Sequence, residues 1–501
     1  MKKVITILSI GAFTLGALMT RAQQLEWAYS IMDNSVQNNA QSMASNGSNF
    51  AICGSVTNSA SYDLINQNAA YSGAKSFVAY YNENAEIQWM VPQPTDGTVE
   101  RVWTLNMDVS GALYAIGRFN GTHDFDPGPG TTQLTTNWSD VFVQKFDNAG
   151  NFQWVGHARC DGQPRTSAMK SNGNIVVVGR LQDTTTVVLT SGSSVPLEKG
   201  VFIIEFASNG DAIAAYSLAT PDSFSDQTAV AIDANDNVYI GCSVDGNMDL
   251  DLKSGVLAET SNSGYDCVLV KYDANYDYVW HKRFGDAQTS APDGWDFINQ
   301  LIVHDGHLYA TGWFTWTTDF DPDNNPGQWV YTAGTGSQTP DGYVVKYDLD
   351  GTIQWVQEAG GHPSIATNTD VWYHDMVIAN GQIIVSGELN GTADFDGSTN
   401  DFILGTADNG LGLCYVHYDT DGNFQNAWLI DGIVSANERP RGIELLANGF
   451  VAYGTFQKEC DFDPGAGQFI LETDPNGPFY SADNDLFVAH YSISGIGGIE
   501  A

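Results

Sequence analysis

The chain has 501 residues, 20 of them basic and 59 acidic, for a net charge of −39. Such a surface repels nucleic acid and anionic membranes and favours cations and basic partners, so no nucleic-acid role is expected. With 43% hydrophobic and 12% aromatic residues, the composition also excludes an intrinsically disordered chain.

The first residues, Met1-Lys2-Lys3, precede an apolar run from Val4 to about Met19 and then Thr20-Arg21-Ala22. A charged start, an apolar stretch and a small residue before a cut at Ala22/Gln23 make residues 1–22 read as a secretory signal peptide. No Cys follows the cut, so no lipid anchor is expected there. No later stretch is long and apolar enough to cross a bilayer, and no direct membrane insertion is expected. The product, residues 23–501, is expected to be secreted, at the cell surface or in the periplasm. It holds 17 basic against 59 acidic residues, a net of −42.

From there one unit recurs about every 60 to 75 residues. Leu25-Glu26-Trp27 is a partial copy of its last segment. Fuller copies run Tyr81 to Trp89, Phe146 to Trp154, Phe206 to Ala214, Tyr272 to Trp280, Tyr347 to Trp355 and Tyr418 to Asn426, and a last one starts at Tyr491. Repeats of this length mean stacked similar units. In the second unit, Arg101 to Met107, Ala112 to Phe119, Asp140 to Phe146 and Asn151 to Gly156 read as strands. They are short and rich in Val, Ile, Tyr and Phe. Asp/Asn/Gly turns join them, with a long polar loop between the second and third.

Four antiparallel strands in each of seven units predict an all-β, seven-bladed β-propeller, with the recurring Trp filling gaps between blades. The last unit supplies three strands, Gly442 to Leu446, Phe450 to Phe456 and Asp485 to Tyr491, and lacks a fourth. The N-terminal segment Leu25 to Ser30 is a fourth-type strand without its own unit. It is expected to complete the last blade and leave no open edge, so residues 23–501 form one domain.

A second signature follows each second strand. It reads Asp124-Phe125-Asp126-Pro127-Gly128, Asp249-Leu250-Asp251, Asp319-Phe320-Asp321-Pro322, Asp394-Phe395-Asp396-Gly397 and Asp461-Phe462-Asp463-Pro464-Gly465. Tyr62-Asp63-Leu64 and Val187-Val188-Leu189 stand in its place in the first and third units. An extended Asp-x-Asp sets both carboxylates on one side and the central residue on the other. Two readings follow: Ca²⁺ held by Asp124, Asp126, Asp249, Asp251, Asp319, Asp321, Asp394, Asp396, Asp461 and Asp463, or carboxylates capping the amides of a turn. Dedicated calcium loops have a longer Asp-x-Asp-x-Asp-Gly pattern, which is absent.

The longest loops leading into first strands, Phe284 to Trp295 and Gly360 to Asp370, are expected to bring His362, Trp295 and Trp372 to the same rim, where aromatic and polar groups suit a glycan or peptide. Among the six cysteines, Cys242 and Cys267 lie on consecutive strands of one unit and could meet across the ladder, while Cys53 and Cys414 read as small core residues. The set Gly117 to Gly128, Asp140 to Asp147 and Gly150 to Trp154 resembles secreted bacterial proteins with SBBP-type β-propeller repeats, and the likeness spans residues 23–501. The resemblance implies a seven-bladed propeller on a secreted or surface protein and no assigned chemistry. Many relatives add a C-terminal sorting domain, which the tail Ser494 to Ala501 does not resemble.

No HExxH, GxSxG or phosphate-binding glycine loop occurs. The expected function is therefore a non-catalytic binding or scaffold module with a protein or glycan partner at the cell envelope. The alternatives are a propeller-type carbohydrate-active enzyme, a lyase or hydrolase, or an accessory subunit of a secretion or motility assembly. Unique carboxylate, His or Tyr groups converging in the central channel would favour the enzyme.

Overall fold

Alternating apolar runs broken by Asp/Asn/Gly turns fold into strands throughout, and no helix occurs among the described residues. The computed structural model describes residues 23–31, 39–55, 60–66, 70–71, 76–93, 101–262, 264–286, 294–322, 327–334, 339–361, 369–397, 400–406, 410–432, 438–473 and 485–493. The signal-peptide segment 1–22 and His362 lie outside them.

The strands pair antiparallel, in chain order, into sheets. Sheet I holds Asn39–Ser45, Asn49–Ser55, Ser76–Asn82 and Ile87–Gln93; sheet II holds Arg101–Met107, Leu113–Asp124, Gln133–Phe146 and Phe152–Ala158. Sheet III holds Gly162–Met169, Ile175–Leu181, Gly200–Phe206 and Ala212–Ala219; sheet IV holds Ser223–Ile232, Val238–Asp245, Gly264–Tyr272 and Tyr278–Asp286. Sheet V holds Phe297–His304, His307–Phe314, Asp341–Asp348 and Ile353–Ala359; sheet VI holds Asp370–Ala379, Gln382–Asn390, Leu411–Asp419 and Phe424–Ile430. Sheet VII holds Arg439–Leu446, Gly449–Phe456 and Asp485–Ile493, and Gln23–Ile31 pairs with the last of these, Leu25 opposite Tyr491 and Ile31 opposite Leu486.

First strands of successive sheets adjoin in order, and that of sheet VII adjoins that of sheet I. This is a β-propeller arrangement. A four-stranded sheet has two apolar faces, and each face is covered by the neighbouring sheet. Val176, Val178 and Ile203 of sheet III pack with Val230, Ile240 and Val268 of sheet IV. Ile31, Val451 and Leu486 of sheet VII pack with Phe50, Ile52 and Tyr81 of sheet I.

The recurring Trp lies between sheets, as expected. Trp89, Trp280 and Trp355 donate through Nε1 to the carbonyls of Asn148, Leu349 and Thr420 on the next sheet, at 3.2, 3.1 and 3.2 Å. Each ring covers the turn glycine of that sheet: a Cβ on Gly150, Gly351 or Gly422 would come within 2.7, 3.2 or 2.8 Å of the indole. These glycines also have φ of 82°, 84° and 87°, where a side chain is strained. Between sheets III and IV the roles are exchanged. Sheet III has Ala214 at the Trp position, opposite Glu205. Sheet IV has Tyr276 at the glycine position, with φ of 63°. The Tyr276 ring fills the gap, 4.7 Å from that of Tyr216 and under the Lys170 ammonium, and its hydroxyl donates to Glu205 Oε2 at 2.7 Å.

Two expectations are corrected. The long polar loop of the second unit is largely strand: Leu113–Asp124 and Gln133–Phe146 form one extended hairpin with a register break between Thr136 and Asp140. Cys242 and Cys267 do not meet. Cys242 stands opposite Val268, and Cys267 opposite Ser243. The offset of one residue turns their side chains to opposite faces of the sheet, one packed toward sheet III and the other toward sheet V. All six cysteines are buried free thiols, Cys53 and Cys414 in the core as expected.

Candidate functional site

Each first strand carries one irregularity near its start. The register slips between Ala40/Ser42, Val102/Thr104, Pro164/Thr166, Phe224/Thr228, Ile298/Gln300, Tyr373/Asp375 and Pro440/Gly442. A bulge frees one residue from the ladder and re-aims its side chain. Here the freed residues are Gln41, Trp103, Arg165, Asn299, His374 and Arg441, and all six line one cavity of about 530 Å³ bounded by the first strands. This cavity forms a channel among the first strands. Its wall differs from sheet to sheet, although the sheets repeat.

The residue after each bulge shows where the departure is greatest. It is Ser42, Thr104, Thr166 and Thr228 in sheets I to IV, then Gln300, Asp375 and Gly442. Ser42 Oγ accepts from Leu105 N of the next sheet at 3.0 Å. Asp375 makes the same link, Oδ2 accepting from Ile443 N at 2.9 Å, while Oδ1 accepts from Gln300 Nε2 at 3.0 Å and Met376 N at 2.9 Å. Gly442 leaves room for it, since a Cβ there would lie 2.5 Å from Asp375 Oδ2. Glu444 and Tyr453 line the same wall. Burial pushes the Asp375 carboxyl up to about 6, against the three N–H donors that hold it down. Burial, and then Asp375 beside it, pushes Glu444 well above the usual carboxylate range. His374 Nε2 lies 3.4 Å from Glu388 Oε1. Carboxyl, imidazole and phenol groups thus converge on the wall formed by sheets VI and VII.

The Asp-x-Asp loops lie at the tips of hairpins that extend from the second strands. Their geometry is uniform. The central residue is buried (Phe125, Leu250, Phe320, Phe395, Phe462), and its N–H donates to the carbonyl seven residues on, or nine residues on for Phe320, whose loop is longer. The first carboxylate folds back over its own loop. Oδ1 of Asp124, Asp249, Asp394 and Asp461 accepts from the amide two residues on, at 3.0 to 3.1 Å, and from the amide eight residues on, at 2.7 to 2.9 Å. Asp319 uses Oδ1 for Asp321 N and Oδ2 for Gly327 N. Of the second carboxylates, Asp126, Asp251 and Asp463 cap Gly128 N, Lys253 N and Gly465 N, and Asp321 receives Lys282 Nζ at 3.0 Å. A Cβ on Gly130, Gly255 or Gly467 would stand 2.0 to 2.1 Å from Asp126, Asp251 or Asp463, so the spacing to this glycine belongs to the same cap. Among the described residues no group of three or more His, Cys, Asp or Glu side chains is placed to hold one ion.

A further set lies at the head of the third strands. Asp140 meets His157 Nδ1 at 3.1 Å, and Asp266 receives Arg283 Nη1 at 2.7 Å. Sheet V has a carboxyl at the equivalent place: Glu358 shares a hydrogen bond with Asp341. Burial drives both upward, Asp341 to about 7, and the two hold a proton between them.

Trp295 is exposed at the rim and Trp372 lies on the first strand of sheet VI, but neither lines the channel. The residues missed from sequence are the bulge set. In four of the six their signal is two consecutive polar residues within a first strand, Gln41-Ser42, Arg165-Thr166, Asn299-Gln300 and His374-Asp375.

The sequence matches no protein-family profile and no curated protein. Among solved structures it is similar to an ulvan lyase of the PL25 polysaccharide lyase family bound to -[GlcA(1-4)Rha3S]-, at 11% identity over 86% of this chain and 93% of that one, with a TM-score of 0.40. It is also similar to a subtype N10 neuraminidase-like protein of A/little yellow-shouldered bat/Guatemala/060/2010, at 9% identity over 79% and 100%, with a TM-score of 0.31. Likenesses at this level carry no inference about activity.

Proposed function

We propose that this chain is a non-catalytic binding propeller of the cell envelope whose central channel receives a polar ligand. One observation carries the reading: six bulge residues with six separate contexts, Gln41, Trp103, Arg165, Asn299, His374 and Arg441, are turned into one cavity. A scaffold that needed only its blades would have no use for five polar residues and a Trp of such varied chemistry there. In this reading the sheets are seven blades closed into one ring by Gln23–Ile31, supported by its pairing with Asp485–Ile493 and by the circular order of the first strands. The repeat resemblance and the leader-like run Met1 to Ala22 support a place outside the cytoplasm. Capping accounts for the Asp-x-Asp carboxylates without an ion, so Ca²⁺ at these loops is a separate proposal that melting in EDTA and then Ca²⁺ decides.

A second reading, a carbohydrate-active enzyme, is favoured by Asp375, Glu444, Tyr453 and His374 on one wall. Paired carboxyls with separated acidities are what general acid–base cleavage needs. A thermal-shift screen against neutral, acidic and basic oligosaccharides and envelope peptides tests the main reading. Compounds that raise the midpoint of the parent chain and fail with both Trp103→Ala and Asn299→Ala support a channel ligand. Compounds unaffected by either change place binding elsewhere. Release of new reducing or unsaturated ends by the parent chain, abolished in Asp375→Asn, would replace the binding reading with the enzyme.

A further inference from the structure

The chain has nine arginines in a strongly acidic whole. Four of them, Arg101, Arg118, Arg165 and Arg180, meet on sheets II and III beside the channel. Arg101 and Arg118 stand directly opposite each other on paired strands, an arrangement of like charges that costs stability. Arg165 occupies the bulge of sheet III, and its guanidinium lies 4.6 Å from the centre of the Trp103 ring. Arg101 lies 6.0 Å from the same ring, and Arg180 5.2 Å from that of Phe224. Arg165 Nη2 donates to Gln163 Oε1 at 3.0 Å, and Asp161 is the carboxylate set against Arg118. Burial, then Arg180 and Arg118, lowers Arg165 to about 10.

The fold does not need this crowding, since Gln41, Asn299 and His374 fill the Arg165 position in other sheets. A guanidinium that lines a cavity, with others close behind it, favours an oxyanion there, and its planar fork suits a carboxylate or sulfate. Across the channel the wall is different. Asn299, Gln300, Asp375 and Glu444 offer amide and carboxyl partners for hydroxyls there, beside a single guanidinium, that of Arg441. A ligand matching both walls carries an acid on one side and hydroxyls on the other.

We infer that the wall formed by sheets II and III is an oxyanion subsite, with Arg165 at its centre, for the carboxylate or sulfate of an acidic saccharide. This rests on the channel being the binding site. A poly-acidic peptide fits less well, because its side chains bring no hydroxyls to Asn299, Gln300, Asp375 and Glu444.

Calorimetric titration with an oligogalacturonate, a chondroitin sulfate hexasaccharide, neutral cellohexaose and a poly-glutamate peptide tests it. The first two separate carboxylate from sulfate. At least one acidic saccharide is expected to bind more tightly than cellohexaose. Arg165→Gln should weaken it by about 10- to 100-fold, the scale of losing charge-assisted hydrogen bonds. Arg165→Lys, which keeps the charge and loses the fork, should give an intermediate loss. Lys253→Gln, at a surface ion pair with Asp277, should change nothing. If Arg165→Gln unfolds, Arg118→Gln carries the same expectation. The inference falls if acidic saccharides bind no better than cellohexaose, if Arg165→Gln and Lys253→Gln behave alike, or if poly-glutamate binds more tightly than either saccharide. A probe lost in Trp103→Ala but indifferent to Arg165→Gln would sink the oxyanion subsite and leave the channel reading standing. No binding of any probe would overturn both.

Discussion

The exchanged Trp and Gly positions between sheets III and IV give a direct test of how neighbouring sheets are matched. Tyr276 is 4% exposed. Cutting it to Gly should cost about 3–5 kcal/mol for the lost packing, together with the hydrogen bond to Glu205. Relief of the positive φ returns about 1–2 kcal/mol. The net is about 3 kcal/mol, or about 3 °C of melting midpoint in a domain of this size. Ala214→Trp alone should also destabilise, by about 1–3 kcal/mol, because Tyr276 already occupies the space. The pair Ala214→Trp/Tyr276→Gly rebuilds the arrangement of Trp154 over Gly210, where a Cβ would stand 2.7 Å from the indole. It should therefore melt within about 1–2 °C of the parent, a coupling of more than about 2 kcal/mol. Scanning calorimetry of the four proteins decides the matter. A double variant that melts no higher than the sum of the single effects would show that Tyr276 is not filling the Trp site.

Three further outcomes are expected. Asp341 and Glu358 have folded-state affinities raised above their unfolded values, so the stability they contribute is full below the ordinary carboxylate range and is lost as pH rises through about 7. The parent midpoint should fall from about pH 4 to pH 7, between the ordinary carboxylate value and the raised one. Glu358→Arg, which copies the Arg283–Asp266 pair, should lessen that fall, the remainder belonging to the raised Asp375 and Glu444 carboxyls, and an identical pH profile would refute the shared proton. Melting in EDTA, Mg²⁺ and Ca²⁺ should give one midpoint if the Asp-x-Asp loops only cap. A Ca²⁺-specific rise, about 2.7 kcal/mol at a hundredfold excess over Kd, would establish the ion. Thiol titration after unfolding without reductant should count all six cysteines, with no change in midpoint on adding dithiothreitol; a count of four would revive a disulfide.

The sheets were legible because each carries its own punctuation, Asp/Asn/Gly turns and β-branched runs, and most add a closing Trp. The role of that Trp was legible too, since an aromatic repeated once per unit has to pack between units. What pairs with it was not, because Gly150, Gly351 and Gly422 read locally as ordinary turn glycines and their second duty is to the neighbouring sheet. The cysteine pairing failed on a register offset of one, which strand patterns do not fix. Attention to the Asp-x-Asp loops drew the candidate site to the rim. Those residues recur in five units with the same local hydrogen bonds, whereas the channel residues differ from unit to unit. Variation at a fixed place in the repeat, Trp103 against Arg165 against His374, was the better signal.

The pairing of Gln23–Ile31 with Asp485–Ile493 has a consequence for how the molecule is made. The N-terminal segment emerges first from the ribosome, and its partner emerges last. At about 5–20 residues per second the two are separated by about 25–90 s of synthesis. Through that interval an aromatic strand, with Trp27 and Tyr29 in it, has no edge to join and is exposed to wrong partners. Bringing the ends together also carries a closure entropy of about 5 kcal/mol, recovered only once both are present. The other sheets are built from contiguous chain and can form in order of synthesis. Sheet VII can only be the final event, so premature release of the chain, even by one strand, should leave an adhesive intermediate and not a slightly shorter propeller.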